Sequence, residues 1–193
     1  MSRAVVVEDY RQHWADDFTR LARRIRALVG PAAIRIDHIG STAVPGLGAK
    51  DVIDLQITVG SLDRVDAVAS PLRAAGFRQD GALCFDVFHG KSTTDLELRK
   101  IFVREPEGER RAHIHVREIG RFNQRYALLF RDYLRAAEDA RGAYEQLKRE
   151  AARIYPDSID GYLQLKDPVF HILYAAASLW AEKVGWRPTE DHL

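Results

Sequence analysis

A single cysteine, Cys84, stands in the whole chain, so no intramolecular disulfide can form, and the composition fits a reducing compartment. Charge of one sign is equally scarce. Lys and Arg number 29 against 28 Asp and Glu, a net charge of +1, which gives no general pull towards nucleic acid or an anionic membrane. Long hydrophobic runs are missing too. The opening MSRAVVVEDYRQHW has too short an apolar run for a secretory leader. The longest apolar stretch, VFHILYAAASLWAEKVGW, falls short of the ~20 residues that span a bilayer. It carries His171 and reads as a buried core helix, with Trp180 and Trp186 as packing residues. A cytoplasmic protein without membrane contact is the expectation.

Several catalytic signatures are also absent. There is no GxxxxGK[ST], no GxGxxG and no GxSxG, which removes P-loop kinases, Rossmann dehydrogenases and α/β-hydrolases as leading readings. No internal repeat, low-complexity tract or Pro/Ser-rich linker interrupts the chain. Its 193 residues suit one domain with a proper core.

What is present divides into a strand-rich middle and a helical end. Trp14, Phe18, Leu21, Ile25 and Leu28 recur at helical spacing, and Gly30 and Pro31 stop that helix. AIRIDHIG and VIDLQITV read as strands. SLDRVDAVASPLRAAG reads as a helix with Ser61 as N-cap and Gly76 as its stop. FRQ, LCFDVFHG, DLELRKIFV and AHIHV read as further strands. After Gly120, RFNQRYALLFRDYLRAAEDARGAYEQLKREAARIY and GYLQLKDPVFHILYAAASLWAEKVGW read as two helices. The expected fold class is α+β: one mixed sheet, helices on one face and a helical C-terminal section packed against it. A single domain over residues 1–193 is expected, with an α/β core over 1–120 and the helical section over 121–193.

Side chains alternate along strands, so Asp54, Gln56 and Thr58 share one face of VIDLQITV, opposite Ile53, Leu55, Ile57 and Val59. By the same rule Asp95, Glu97 and Arg99 oppose Leu96 and Leu98, and His113 and His115 oppose Ile114 and Val116. If these strands are neighbours, Asp54, Glu97, Arg99 and both histidines gather in one patch. Wet polar faces without function are common in antiparallel sheets, so the pattern leaves both readings open. Carboxylates on adjacent strands suit Mg²⁺ and substrate phosphates. The His-x-His pair suits Zn²⁺, a phosphate, or acid–base work near neutral pH. Just ahead of the Asp54 strand, HIGSTAVPGL is either a backbone-rich phosphate cradle or an ordinary tight turn. Arg121, Arg125 and Arg131 read most simply as the wet face of an amphipathic helix.

The run DHIGSTAVPGLGAKDVIDLQITV, residues 37–59, resembles the signature of the GrpB-like family, a branch of the nucleotidyltransferase fold. The Tyr10…Trp14…Phe18 spacing, AHIHV, FRDYLR, YEQLK and YLQLKDPVF carry the resemblance over nearly the whole chain. The AKDVIDLQ wording is most similar to the domain fused behind actinobacterial dephospho-CoA kinases. The resemblance implies a nucleotidyltransferase-like mixed sheet flanked by helices, with Gly40-Ser41 before a metal-binding strand. It assigns Asp54 as the first metal carboxylate and Glu97 as the third, while Gln56 stands where the second is expected. Asp51, three residues before Asp54, is a compensating candidate.

Two functions follow as expectations. In one, Gly40, Ser41 and Thr42 hold the phosphates of an NTP, Asp54 and Glu97 bind Mg²⁺, and Lys50, Arg99 or Lys166 neutralise charge. His113 or His115 then contacts the substrate or relays a proton, and the reaction is nucleotidyl transfer. In the other, the chain binds a nucleotide or CoA-like phosphate ligand without catalysis and assists or regulates a protein partner such as a CoA-pathway kinase. Nucleic acid is not an expected partner.

Overall fold

The computed structural model describes residues 4–82 and 84–188. The strand expected over 83–90 begins at Leu83, outside the described residues. Helix α1 (His13–Val29) ends where Gly30 turns to φ +52°. Strands β1 (Arg35–Ile39) and β2 (Ile53–Val59) follow, and α2 (Asp66–Ala74) comes after a short 3-10 turn whose Ser61 hydroxyl accepts from Asp63 N. Strands β3 (Arg78–Asp80), β4 (Ile101–Arg104) and β5 (Ala112–Glu118) complete one sheet of order β1-β2-β5-β4-β3. The β2–β5 pair is parallel and the others are antiparallel, so the sheet is mixed.

Alternation on the central strands divides the sheet into two unlike faces. Ile36, Leu55, Ile57, Val59, Val103, Ile114 and Val116 pack against Ala22, Ile25 and Val29 of α1 and Val68 and Leu72 of α2. Each large side chain buried there contributes roughly 1.5–3 kcal/mol. The opposite face carries the polar set and meets the helical section, α3 (Phe122–Ala136), α4 (Glu138–Ile154) and α5 (Ile159–Val184). Helices therefore flank both faces. α3 meets the sheet both by packing Leu128 and Leu129 against Ile39 of β1 and by polar contacts, such as Gln56 Nε2 donating to Gln124 O at 3.2 Å.

Three element readings need correction. DLELRKIFV is not one strand: the Asp95 carboxylate accepts from Glu97 N at 2.9 Å and caps a 3-10 turn over Leu96–Leu98, so β4 begins only at Ile101. Among its described residues LCFDVFHG forms no strand: its backbone meets residues 98–100 through the Phe85–Arg99 bridge and the bonds of Asp86 N to Leu98 O and Lys100 N to Cys84 O. The single helix expected over 121–155 is two, broken at Ala137 in extended conformation. Glu138 and Asp139 open α4 where a helix N-terminus favours negative charge, and Arg141 donates to the Leu134 and Arg135 carbonyls that close α3. That break needs neither glycine nor proline, so periodicity does not reveal it. The apolar C-terminal stretch lies in α5 up to Val184, with Gly185 and Trp186 beyond its end, and the helix is buried on one side only. Ile172 and Leu179 are each 69% exposed. No helix among the described residues is long and apolar enough to cross a membrane.

Candidate functional site

The HIGSTAVPGL stretch is a turn and a cavity wall at once. Gly40 adopts φ +71° and precedes a 3-10 turn over Ser41–Ala43. A Cβ at Gly40 would lie 2.4 Å from Asp54 Oδ2, so only glycine lets the loop approach the β2 carboxylate this closely. The turn is held from several sides. Arg135 of α3 donates twice to Ala43 O, at 3.0 and 2.8 Å, and Gly48 N donates to Glu145 Oε2 at 2.9 Å. The Thr42 hydroxyl donates to Val52 O at 3.3 Å and lies 3.0 Å from His38 Nε2. His38 stacks on Phe18 and is neutral, its pKa pushed down to about 3 chiefly by burial. Thr42 therefore fastens the loop, while Gly40 and Ser41 border open space.

That space is a cavity of about 660 Å³ between the polar sheet face and the C-terminal helices, within the usual range for small-molecule sites. Gly40, Ser41, Thr42, Lys50, Asp54, His113, His115 and Lys166 all line it. The strand register explains the convergence: Asp54 sits beside His113, and Gln56 beside His115, across the β2–β5 pair. His113 Nδ1 lies 3.2 Å from Asp54 Oδ1. Burial alone would raise the Asp54 pKa, but the bond and charge of His113, with Lys50 behind them, hold it below the ordinary carboxylate value. His115 is kept neutral by burial and by Arg117 and Lys100 nearby, so at neutral pH it serves as a hydrogen-bonding group.

Three lysines from three elements gather at the Ser41 end. Lys148 of α4 donates to Ser41 Oγ at 3.0 Å and also to Gly48 O. Lys50 lies 4.9 Å over the Tyr162 ring, and Lys166 lies 5.7 Å over the same ring and 4.5 Å over Phe170. Burial first, and then the charge of Lys166, pushes Lys50 down to about 8 and Lys148 to about 7. Burial likewise lowers Lys166. Lys166 lies inside α5 and borders the cavity, with its ammonium 3.9 Å from Asp167 Oδ1. Over the whole lining, seven lysines and arginines face four aspartates, and Phe88, Phe122, Tyr126, Phe130 and Phe170 supply an aromatic side. Like charges held together in a desolvated pocket favour an anion.

Other expected members of the patch lie elsewhere. Glu97, on the 3-10 turn rather than a strand, accepts from Arg121 Nη1 at 3.0 Å and Phe122 N at 2.8 Å at the start of α3. Arg99 pairs with Asp63 at 2.7 Å on the outer surface. Neither borders the cavity, because the strand that would have aligned them does not form. Asp51 is tied to Trp14 Nε1 at 2.8 Å and to Arg110, away from Asp54. Arg131 is not on a wet helix face: it is buried, pairs with Asp132 and Asp37, and donates to His38 O at 3.0 Å. Arg121 bridges the half-buried carboxylates of Glu97 and Glu118, and Arg125 lies over the Trp186 ring. His171 borders the cavity with its Nδ1 buried and unpartnered, packed edge-on against Phe88.

Sequence reasoning passed over Asp86, Lys100, Arg117 and Lys148. Arg117 was within reach, since it continues the alternation of His113 and His115. Asp86 and Lys100 meet only through the irregular segment before β4, and Lys148 only through tertiary packing of α4. Asp86 accepts from Lys100 at 2.6 Å and from Arg117 at 2.9 Å, and these cations, acting against burial, hold its pKa far below the ordinary value.

The donor set does not make a resident divalent-metal site. Of the carboxylates expected for one, Asp54 alone borders the cavity. Gln56 is fully buried with both amide atoms engaged, Nε2 by Gln124 O and Oε1 by Arg117 at 2.7 Å. Asp86 is already saturated by two cations. Among the described residues no group of three His, Cys, Asp or Glu side chains converges as a metal would require.

A mixed sheet with a Gly-Ser turn leading into an Asp-bearing strand, closed by helices over the polar face, is a nucleotidyltransferase-type fold. The Cid1 poly(U) polymerase superposes with a TM-score of 0.50 at 12% identity, over 81% of this chain and 49% of that one, a likeness of fold alone. The chain belongs to the GrpB protein family, which it matches over residues 4–176. The GrpB structure from Enterococcus faecalis superposes with a TM-score of 0.75 at 27% identity, covering 91% of this chain and 99% of that one. A relative named dephospho-CoA kinase in Mycolicibacterium paratuberculosis is 36% identical over 189 residues. That match takes in 91% of this chain and 46% of the relative, so the chain spans about half the length of such relatives.

Proposed function

We propose that this protein binds a nucleotide or CoA-like phosphate ester in the cavity between its polar sheet face and its C-terminal helices. The observation that carries the reading is the cluster of Lys50, Lys148 and Lys166 beside Ser41, three ammonium groups confined in one desolvated pocket. Phosphate oxygens relieve their mutual repulsion and accept from them. Gly40 and Ser41 admit the phosphate to the cavity floor, His113 and Asp54 form a hydrogen-bonded pair beside it, and the aromatic side takes the apolar or heterocyclic part of the ligand. Nucleotidyl transfer is the less favoured extension, because of the carboxylates expected to hold the metal only Asp54 borders the cavity, while Glu97 lies off it and Gln56 stands at the second position.

A thermal-shift panel of ATP, CoA, dephospho-CoA and adenosine tests the reading. The phosphorylated ligands are expected to raise the melting temperature and adenosine much less, since a bound ligand stabilises by mass action. No shift with any phosphate ester contradicts it. Pyrophosphate release from an NTP together with a nucleotidylated acceptor would establish transfer as well.

A second reading, favoured by the relatives named dephospho-CoA kinase of which this chain matches 46%, is that the domain serves a CoA-pathway kinase as a protein partner. Adding the chain to the dephospho-CoA kinase of the same cell then changes that enzyme's rate or stability. An unchanged rate and melting temperature contradict this reading.

A further inference from the structure

The sheet wall of the cavity holds a second charge arrangement that the three lysines beside Ser41 do not account for. Arg117 is 5% exposed and borders the cavity. Its Nη1 donates to Gln56 Oε1 at 2.7 Å, its Nε donates to Asp86 Oδ2 at 2.9 Å, and its Nη2 lies 3.4 Å from His115 Nδ1. Asp86 is shared with a second buried cation, Lys100, at 2.6 Å, and is further fixed by Asn123 Nδ2 at 3.0 Å. Lys100 and Arg117 on the single Asp86 carboxylate leave this cluster with one positive charge in surplus. Arg117 lies on β5 opposite Thr58, diagonal to Gln56 and two rows along the strand pair from Asp54 and His113.

We propose that the Arg117 guanidinium is a built-in cation at this position, so that the cavity takes its polyphosphate ligand as the free anion and not as a magnesium complex. The proposal rests on the phosphate-ester reading above and deepens it. A neutral amide at 56 fits this arrangement, and a carboxylate there would not be needed to recruit a metal. The guanidinium is planar, permanently charged and pinned at three corners, so its field is fixed before the ligand arrives. A free polyphosphate anion meets that field at full charge, whereas a magnesium complex brings less charge to it.

Isothermal titration of ATP and of inorganic tripolyphosphate into the wild-type chain, once in EDTA and once in excess MgCl₂, tests it. Binding in EDTA is expected to be as tight as in magnesium or tighter. Affinity more than about threefold weaker in EDTA than in magnesium overturns the proposal and leaves the ligand reading standing. No binding under either condition overturns both. Arg117→Met is expected to weaken tripolyphosphate binding in EDTA by about tenfold or more, and Arg117→Lys by less, because the charge is retained. An unchanged affinity in a folded Arg117→Met protein overturns the proposal. Should that variant fail to fold, the wild-type comparison in EDTA and magnesium decides alone.

Discussion

At the scale of single residues, Gly40 and Lys148 carry the sharpest consequences. Gly40→Ala places a methyl 2.4 Å from Asp54 Oδ2 at a φ of +71°. The expected outcome is a stability loss above ~1 kcal/mol in denaturant unfolding, with ligand affinity reduced because Asp54 or the loop must move. Lys148 gives opposite pH slopes for folding and binding. Its pKa falls from 10.5 in the unfolded chain to about 7 in the folded one, so between those values the unfolded chain holds the extra proton. Stability from this group therefore rises with pH across that window. Phosphate affinity runs the other way, weakening as pH climbs through about 7 and the ammonium discharges. Titrations near pH 8 in buffers of differing ionisation enthalpy are expected to show proton uptake on binding; heats independent of the buffer contradict this.

At the scale of elements, the turn over Leu96–Leu98 and helix α3 separate structural charge from binding charge. Glu97 accepts from the first amide of α3 and from Arg121, an arrangement that supports a helix N-terminus. Glu97→Gln is expected to cost about 0.3–1 kcal/mol in stability and to leave ligand affinity unchanged; lost affinity would return Glu97 to the site. Arg131 is the buried counterpart, set between Asp37 and Asp132, with Trp186 Nε1 also donating to Asp132 at 3.1 Å. Arg131→Met strands buried carboxylates and is expected to destabilise by about 3–5 kcal/mol in chemical denaturation, well beyond any effect of the exposed Arg121.

At the scale of the whole molecule, the sheet was the legible part. Alternation on VIDLQITV and AHIHV gave the facing of Asp54, Gln56, His113 and His115, and strand pairing then brought them together, because a period of two needs nothing beyond local geometry. DLELRKIFV misled for a related reason: Asp95 offers its own backbone a capping bond, which outcompetes extension. The helical half was legible as helix but not in its contacts. Arg131 and Lys148 lie on surfaces that sequence periodicity marks as polar, and only the packing of α3 and α4 over the sheet buries them. The lysine cluster is therefore a tertiary property, drawn from the loop before β2, α4 and α5, and it carries the functional account. Its most direct test is isothermal titration of CoA and ATP into wild-type protein and into a folded Lys148→Met variant at neutral pH. The account predicts saturable binding to the wild type by at least one of the two, weakened about tenfold or more by the substitution; no binding to the wild type, or equal affinity in both proteins, would contradict it.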